Sequence, residues 1–152
     1  MAEDWEHKDI WKRRGHDFLV KISRHEVAVN FEEPEWRREG PHRWAVYAYI
    51  YPKHPRFSRF VGEDMWQDAA TSLDLHCYPS FLRRHYAADG SQTAVQVGAD
   101  YNHLHDEQYT HMATREDARS VFRDAEALFD LLSSESGQTP IADDPTTATM
   151  AP

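Results

Sequence analysis

A single cysteine, Cys77, leaves the 152-residue chain unable to build a disulfide framework or a multi-cysteine zinc site. That usage suits a reducing compartment, and Cys77 reads as a small core filler rather than a nucleophile. The six glycines are dispersed, so no loop cradles a phosphate, and no G-x-S-x-G elbow is present. No apolar run approaches the roughly 18 residues that span a bilayer. The N-terminal "MAEDWEHKDIWKRRGH" is charged throughout and lacks the apolar stretch of a signal peptide. These absences point to a cytoplasmic protein with no membrane partner.

Positive charge is also in short supply. The formal net charge is −9; residues 135–152 hold Glu135, Asp143 and Asp144 and no base, and removing that −3 leaves −6 on the rest. An acidic chain repels nucleic-acid phosphates, which disfavours nucleic acid as a partner. It suits solubility alone, a basic protein partner, or imitation of a nucleic-acid backbone.

What is present is a globular composition, 40% hydrophobic and 12% aromatic, enough for one domain with a real core. In "ATREDARSVFRDAEALFDLLSS" the residues Ala118, Val121, Phe122, Ala125, Leu128, Phe129 and Leu132 recur at three- and four-residue steps. Thr114 supplies an N-cap, with Glu116 and Asp117 at the positive end of the helix dipole. The pattern predicts a helix over 115–133, ended by Ser133, Ser134 and Gly137. Beyond it, the Pro-, Thr- and Asp-rich residues 135–152 predict a disordered acidic tail after a single domain over 1–134.

Strands are predicted in "DFLVKIS", "RWAVYAYIY" and "TAVQVGADY" from their alternation. "SFLRRHY" followed by "ADGSQ" adds a hairpin, because Asp-Gly readily takes up positive φ. "NFEEPEWRREGPHR" reads as a polar loop. Short helices are expected near Asp64 and in "EDWEHKDIWKR", the latter burying Trp5 with Ile10 or Trp11. The expected fold is α+β: an antiparallel sheet of about four strands with the C-terminal α-helix on one face. Phe18, Val20, Ile22, Trp44, Val46, Ile50, Val95 and Val97 would meet the helix. Tyr47, Tyr49, Tyr51, Lys21, Arg84 and Gln96 would lie on the other face. Those tyrosines are either a second core layer or a rigid aromatic surface for protein recognition. Aromatics beside Arg84 also suit RNA stacking, which the acidic charge opposes.

The densest polar chemistry is "DYNHLHDEQYTH", Asp100 to His111. His-x-His commonly supplies two metal ligands, so His103 and His105, with His111 and Asp106, form a candidate site for a metal-binding protein or metal-dependent hydrolase. A hydrogen-bonded loop leading into the helix explains the same residues, and no longer metal motif accompanies them. Cys77 beside His76 points away from it on an extended chain, and Glu63, Asp64 and Asp68 near Trp66 read as a solvated helix start.

The stretch "RWAVYAYIYPKHPRF…DMWQDAATSLDLH…VQVGADYNHLHDEQYTH", with the ending "ARSVFRDAEALFDLL", resembles small uncharacterised proteins carried by bacteriophages and prophages, over roughly residues 11–132. The resemblance implies a phage-encoded role in the host cell: inhibition of a host defence, host takeover, or a minor virion or assembly component. It brings no catalytic residues and no cofactor. With no credible catalytic set, the expected function is binding a host or phage protein through Tyr47, Tyr49, Tyr51 and Arg84.

Overall fold

The computed structural model describes residues 7–60, 73, 80–102 and 106–136. The described strands are β1 (His7–Arg14), β2 (Phe18–Glu26), β3 (His42–Ile50), β4 (Phe81–Tyr86) and β5 (Gln92–Asp100). They form one antiparallel sheet in the order β1-β2-β3-β5-β4, and α1 (Arg119–Ser136) packs on one side of it. The fold is therefore α+β, with five strands where four were expected.

The inner face follows the alternation of the sequence. Phe18, Val20 and Ile22 stand opposite Ile50, Ala48 and Val46, which in turn face Val95, Val97 and Ala99. All are buried, together with Val121, Phe122, Ala125, Leu128, Phe129 and Leu132 of α1. Each large apolar side chain taken out of water in this way contributes about 1.5–3 kcal/mol. Hydrogen bonds fasten the rim of this layer. Trp44 Nε1 donates to the Met112 carbonyl at 2.9 Å, and the Tyr101 hydroxyl donates to Asp124 at 2.6 Å.

β1 overturns the helix expected in "EDWEHKDIWKR". Its register sets Trp11 opposite Ile22, so Trp11 stacks on Trp44 at 5.7 Å and meets Phe122 edge-on at 5.1 Å. Asp9, two residues away on the same face, pairs with Arg24 at 2.6 Å. Too few apolar residues recur here to build a helical stripe, whereas pairing with β2 satisfies a row of main-chain groups that would otherwise stand open.

The helix is displaced from its expected span at both ends. Thr114 accepts the Asp117 N–H at its Oγ1 (3.1 Å) and the Ala118 N–H at its carbonyl (3.0 Å), so residues 115–118 form a turn and α1 begins at Arg119. Ser133 and Ser134 do not end it. The Ser134 and Ser136 hydroxyls bond back to the Leu131 and Ser133 carbonyls, which a helix tolerates. Residues 53–60 then clamp the last turn. His54 Nε2 donates to the Leu132 carbonyl at 2.9 Å while its Nδ1 accepts the Arg56 N–H, and Arg56 pairs with Glu135. Residues 135 and 136, assigned above to a tail, are thus helical.

The β4–β5 hairpin turns as Asp89-Gly90 suggested. Gly90 holds φ +87°, and Asp89 Oδ1 accepts both the N–H and the hydroxyl of Ser91. The helix expected near Asp64, the acids around Trp66, the His76–Cys77 pair and the chain beyond Ser136 lie outside the described residues. Among the described residues, no helix is long and apolar enough to cross a membrane.

Candidate functional site

On the face away from α1, the register brings Lys21, Tyr47, Gly98 and Phe81 into one cross-strand row, and Leu19, Tyr49, Gln96 and Arg83 into the next. The small or slim residues between the large ones, Ser23, Ala45 and Gly98, are buried, while Tyr47 and Tyr49 are half-buried. The tyrosines are neither open to water throughout nor covered like a core. Among the described residues, the helix lies only on the opposite face.

Gly98 explains how Tyr47 sits. A Cβ there would fall 2.5 Å from Tyr47 Cδ1 and 2.5 Å from the Val46 carbonyl oxygen, so only glycine lets the ring lie down across β5. The ring then meets Phe81 edge-on at 5.3 Å. Lys21 reaches between the two tyrosines, 5.2 Å from each ring centroid, and donates to the Tyr49 hydroxyl at 2.9 Å. A cation close to one aromatic ring and donating to the hydroxyl of the next is a favourable, orienting contact. His85 lies 6.0 Å from the Tyr49 ring and bonds to Gln96 at 3.1 Å.

Burial raises the Tyr47 hydroxyl above the ordinary tyrosine pKa. Tyr49 and Asp100 push it the same way, and the Ser23 side chain opposes them. Tyr51 is raised by burial too, with Arg14 opposing. Both therefore stay neutral near pH 7 and present hydroxyl donors rather than phenolates.

Where β2 and β5 end beside the starts of β3 and β4, this face opens into a cleft of about 570 Å³. Its lining includes His25, Val27, Ala45, Tyr47, Phe81 and Asp100. The walls are largely apolar, with the Asp100 carboxylate on one side. Asp100 is held by its own main chain, whose N–H donates to Ser80 Oγ at 3.1 Å. Arg43, also at the edge, is committed to the Gly40 and His42 carbonyls and to Glu39.

Arg84 corrects the expected site. At the turn, Tyr86 stands opposite Gln92, and continuing that register would set Arg84 against Ala94 on the tyrosine face. A bulge between His85 and Tyr86 shifts the pairing by one, so Arg84 faces Val95 on the helix side and donates to the Phe60 carbonyl at 2.9 Å. Arg83 takes its place among the tyrosines. Phe81, Arg83 and the cleft were missed. The alternation of "SFLRRHY" groups Phe81 with Arg83 and His85, but only the bulge decides which face they share.

The Asp100–His111 stretch separates into parts. His103 and His105 lie outside the described residues. Asp106 is buried at the start of a 3-10 turn, Glu107–His111, and His111 is exposed at its end with its ring against Gly40. Among the described residues, no three His, Cys, Asp or Glu side chains are grouped to hold a metal. His42, His54 and His85 bond to an arginine, a main-chain carbonyl and a glutamine rather than to a nucleophile. The geometry offers shape, aromatic surface and one carboxylate. Comparison with protein-family models, curated proteins and solved structures found no match to the chain.

Proposed function

We propose that this chain is a phage-type accessory protein that works by binding another protein, with the tyrosine face and its cleft as the binding site. Inhibition of a host defence or regulatory factor, in the cytoplasm of the host cell, is its concrete form. The observation that supports the reading is the cleft bordered by Tyr47 and Phe81, about 570 Å³, at the end of a sheet face bearing half-buried aromatics. That volume falls within the roughly 300–1,000 Å³ of sites that bury small ligands, so it accepts an apolar side chain of a partner with part of its main chain. Tyr47 and Tyr49 are pre-positioned by Lys21 and Gly98, which lowers the entropy lost on association. Asp100 suits a partner group that donates hydrogen bonds or carries positive charge.

The test is affinity purification from bacterial lysate with mass spectrometry, comparing the natural chain with Phe81→Ala and Asp100→Ala. One dominant host protein, depleted at least about tenfold by Phe81→Ala, is expected, since a central aromatic contact is worth more than 1.4 kcal/mol. Both variants should melt close to the natural chain, because Phe81 is 36% exposed and Asp100 is only half-buried. A partner retained equally by both variants would remove the cleft from the interface, and no enriched protein at all would refute the binding reading.

A further inference from the structure

The loop between β2 and β3 holds two aromatic side chains out in water. Phe31 is 74% exposed and Trp36 is 83% exposed. On a loose loop such exposure carries little meaning, but this loop is built. Its base is closed by the Val27 N–H donating to the Pro41 carbonyl at 2.8 Å. Asn30 Oδ1 accepts the Glu32 N–H at 3.1 Å, and Pro34 leads into a 3-10 turn at Glu35–Arg37. Arg38 donates from Nη2 to the Phe31 and Glu33 carbonyls, at 3.3 and 3.0 Å. The Gly40 N–H is anchored on buried Thr110 at 2.8 Å.

The arginines that tie the loop also brace its aromatics. Arg38 lies 5.0 Å from the Phe31 ring centroid and Arg37 lies 5.7 Å from that of Trp36, with Arg37 also 3.7 Å from Glu33. Arg38 thus turns its charge onto the loop itself, while Arg37, Glu32 and Glu35 are exposed. Residues 31–39 hold four glutamates against two arginines, so the projecting part carries a net −2.

We infer that this loop is a docking knob for a second protein surface, one with an apolar socket rimmed by lysine or arginine. Tryptophan is among the residues that most often dominate binding energy, and a braced loop has already met much of the ordering cost. An anionic membrane, the other common home for an exposed tryptophan, is repelled by the four glutamates, which outnumber the two arginines of residues 31–39. The inference does not rest on the cleft, which Val27 and Arg43 border at the base of the loop but no residue of 28–39 lines.

The test uses a displayed random-peptide library selected on the full chain, with counter-selection on a Phe31→Ala/Trp36→Ala variant. The expected winners combine Lys or Arg with apolar residues. A synthetic winner should bind the natural chain at least about thirtyfold more tightly than Trp36→Ala, as a dominant contact requires. Its affinity should fall severalfold as salt rises from about 0.05 to 0.5 M, and Phe81→Ala should leave it unchanged. Both loop variants should keep the natural melting temperature, so that lost binding is not lost folding. The inference is overturned if no loop-dependent peptide emerges, or if the winners lack basic residues or ignore salt. Trp36-dependent co-sedimentation with phosphatidylcholine vesicles would reassign the loop to a membrane. A dimer that Trp36→Ala dissolves would reassign it to a second copy of the chain.

Discussion

Phe122 is the side chain on which the helix-on-sheet arrangement can be tested most directly. It is 7% exposed, meets Trp11 edge-on at 5.1 Å and Trp44 at 6.0 Å, and lies 4.8 Å beneath the Arg115 guanidinium. Replacing it with alanine removes a buried ring, a loss of about 3–5 kcal/mol. Part of that belongs to the two tryptophan contacts, at about 0.5–1.5 kcal/mol each beyond area burial. Against a total stability of about 5–15 kcal/mol, the whole loss is a large fraction of what holds the domain folded. With a urea slope of about 2 kcal/mol/M, its unfolding midpoint should drop by about 1.5–2.5 M. Tryptophan fluorescence reports the transition well, since Trp11 and Trp44 line the site. Phe122→Leu, which keeps apolar volume, should recover more than half of the loss. A midpoint shift below about 0.5 M for Phe122→Ala would mean that α1 does not pack here.

Three further outcomes follow from other parts of the fold. Gly98→Ala should destabilise by about 1–3 kcal/mol in the same urea assay and weaken partner binding, because its Cβ has no room beneath Tyr47; an unchanged midpoint would refute the close approach. His42 is held below its ordinary pKa of 6.5, first by burial and then by Arg24, whose Nη1 sits 2.8 Å from His42 Nδ1. The unfolded chain therefore takes up a proton before the folded one does, so stability should be full above pH 6.5 and fall as pH drops from 6.5 toward the lower folded value. His42→Gln should flatten that segment of the pH–stability curve, and an identical slope would assign it to other groups. Elemental analysis of untagged protein grown with added zinc should find well under one metal per chain. About one zinc, lost in a His103→Ala/His105→Ala variant, would instead establish the metal site.

The inner face was legible because alternation and helical period agree on the same apolar residues, and burying them decides the register. Val20, Ile22, Val46, Val95 and the α1 stripe all sit where the pattern puts them. β1 was hidden because its strand character comes from an open edge of β2 and from Trp11 finding Trp44, neither of which is local. Arg84 was assigned to the tyrosine face because a one-residue bulge leaves no mark in composition, yet it exchanges the two faces of β4. The cleft was hidden for a related reason: His25, Tyr47, Phe81 and Asp100 come from four strands and meet only through the register. Phe31 and Trp36 sat in plain view in a stretch that polarity alone marks as loop. What the sequence could not reveal was that Arg38 ties that loop to its own carbonyls.

The strand order also sets how the chain assembles. β1, β2 and β3 follow one another, and β4 and β5 form a separate hairpin, so both units close over short stretches of chain, such as Arg14 to Leu19 and Tyr86 to Gln92. The β3–β5 seam is different, joining Ile50 to Val95 and Ala45 to Asp100. Closing a loop about nine times longer costs roughly 2 kcal/mol more in chain entropy, before any seam contact offsets it. Among the strand pairings this seam is the least local, so the sheet should close here after its two locally connected pieces have formed. The tyrosine face and its cleft straddle that seam, so neither exists until the two pieces of the sheet have joined.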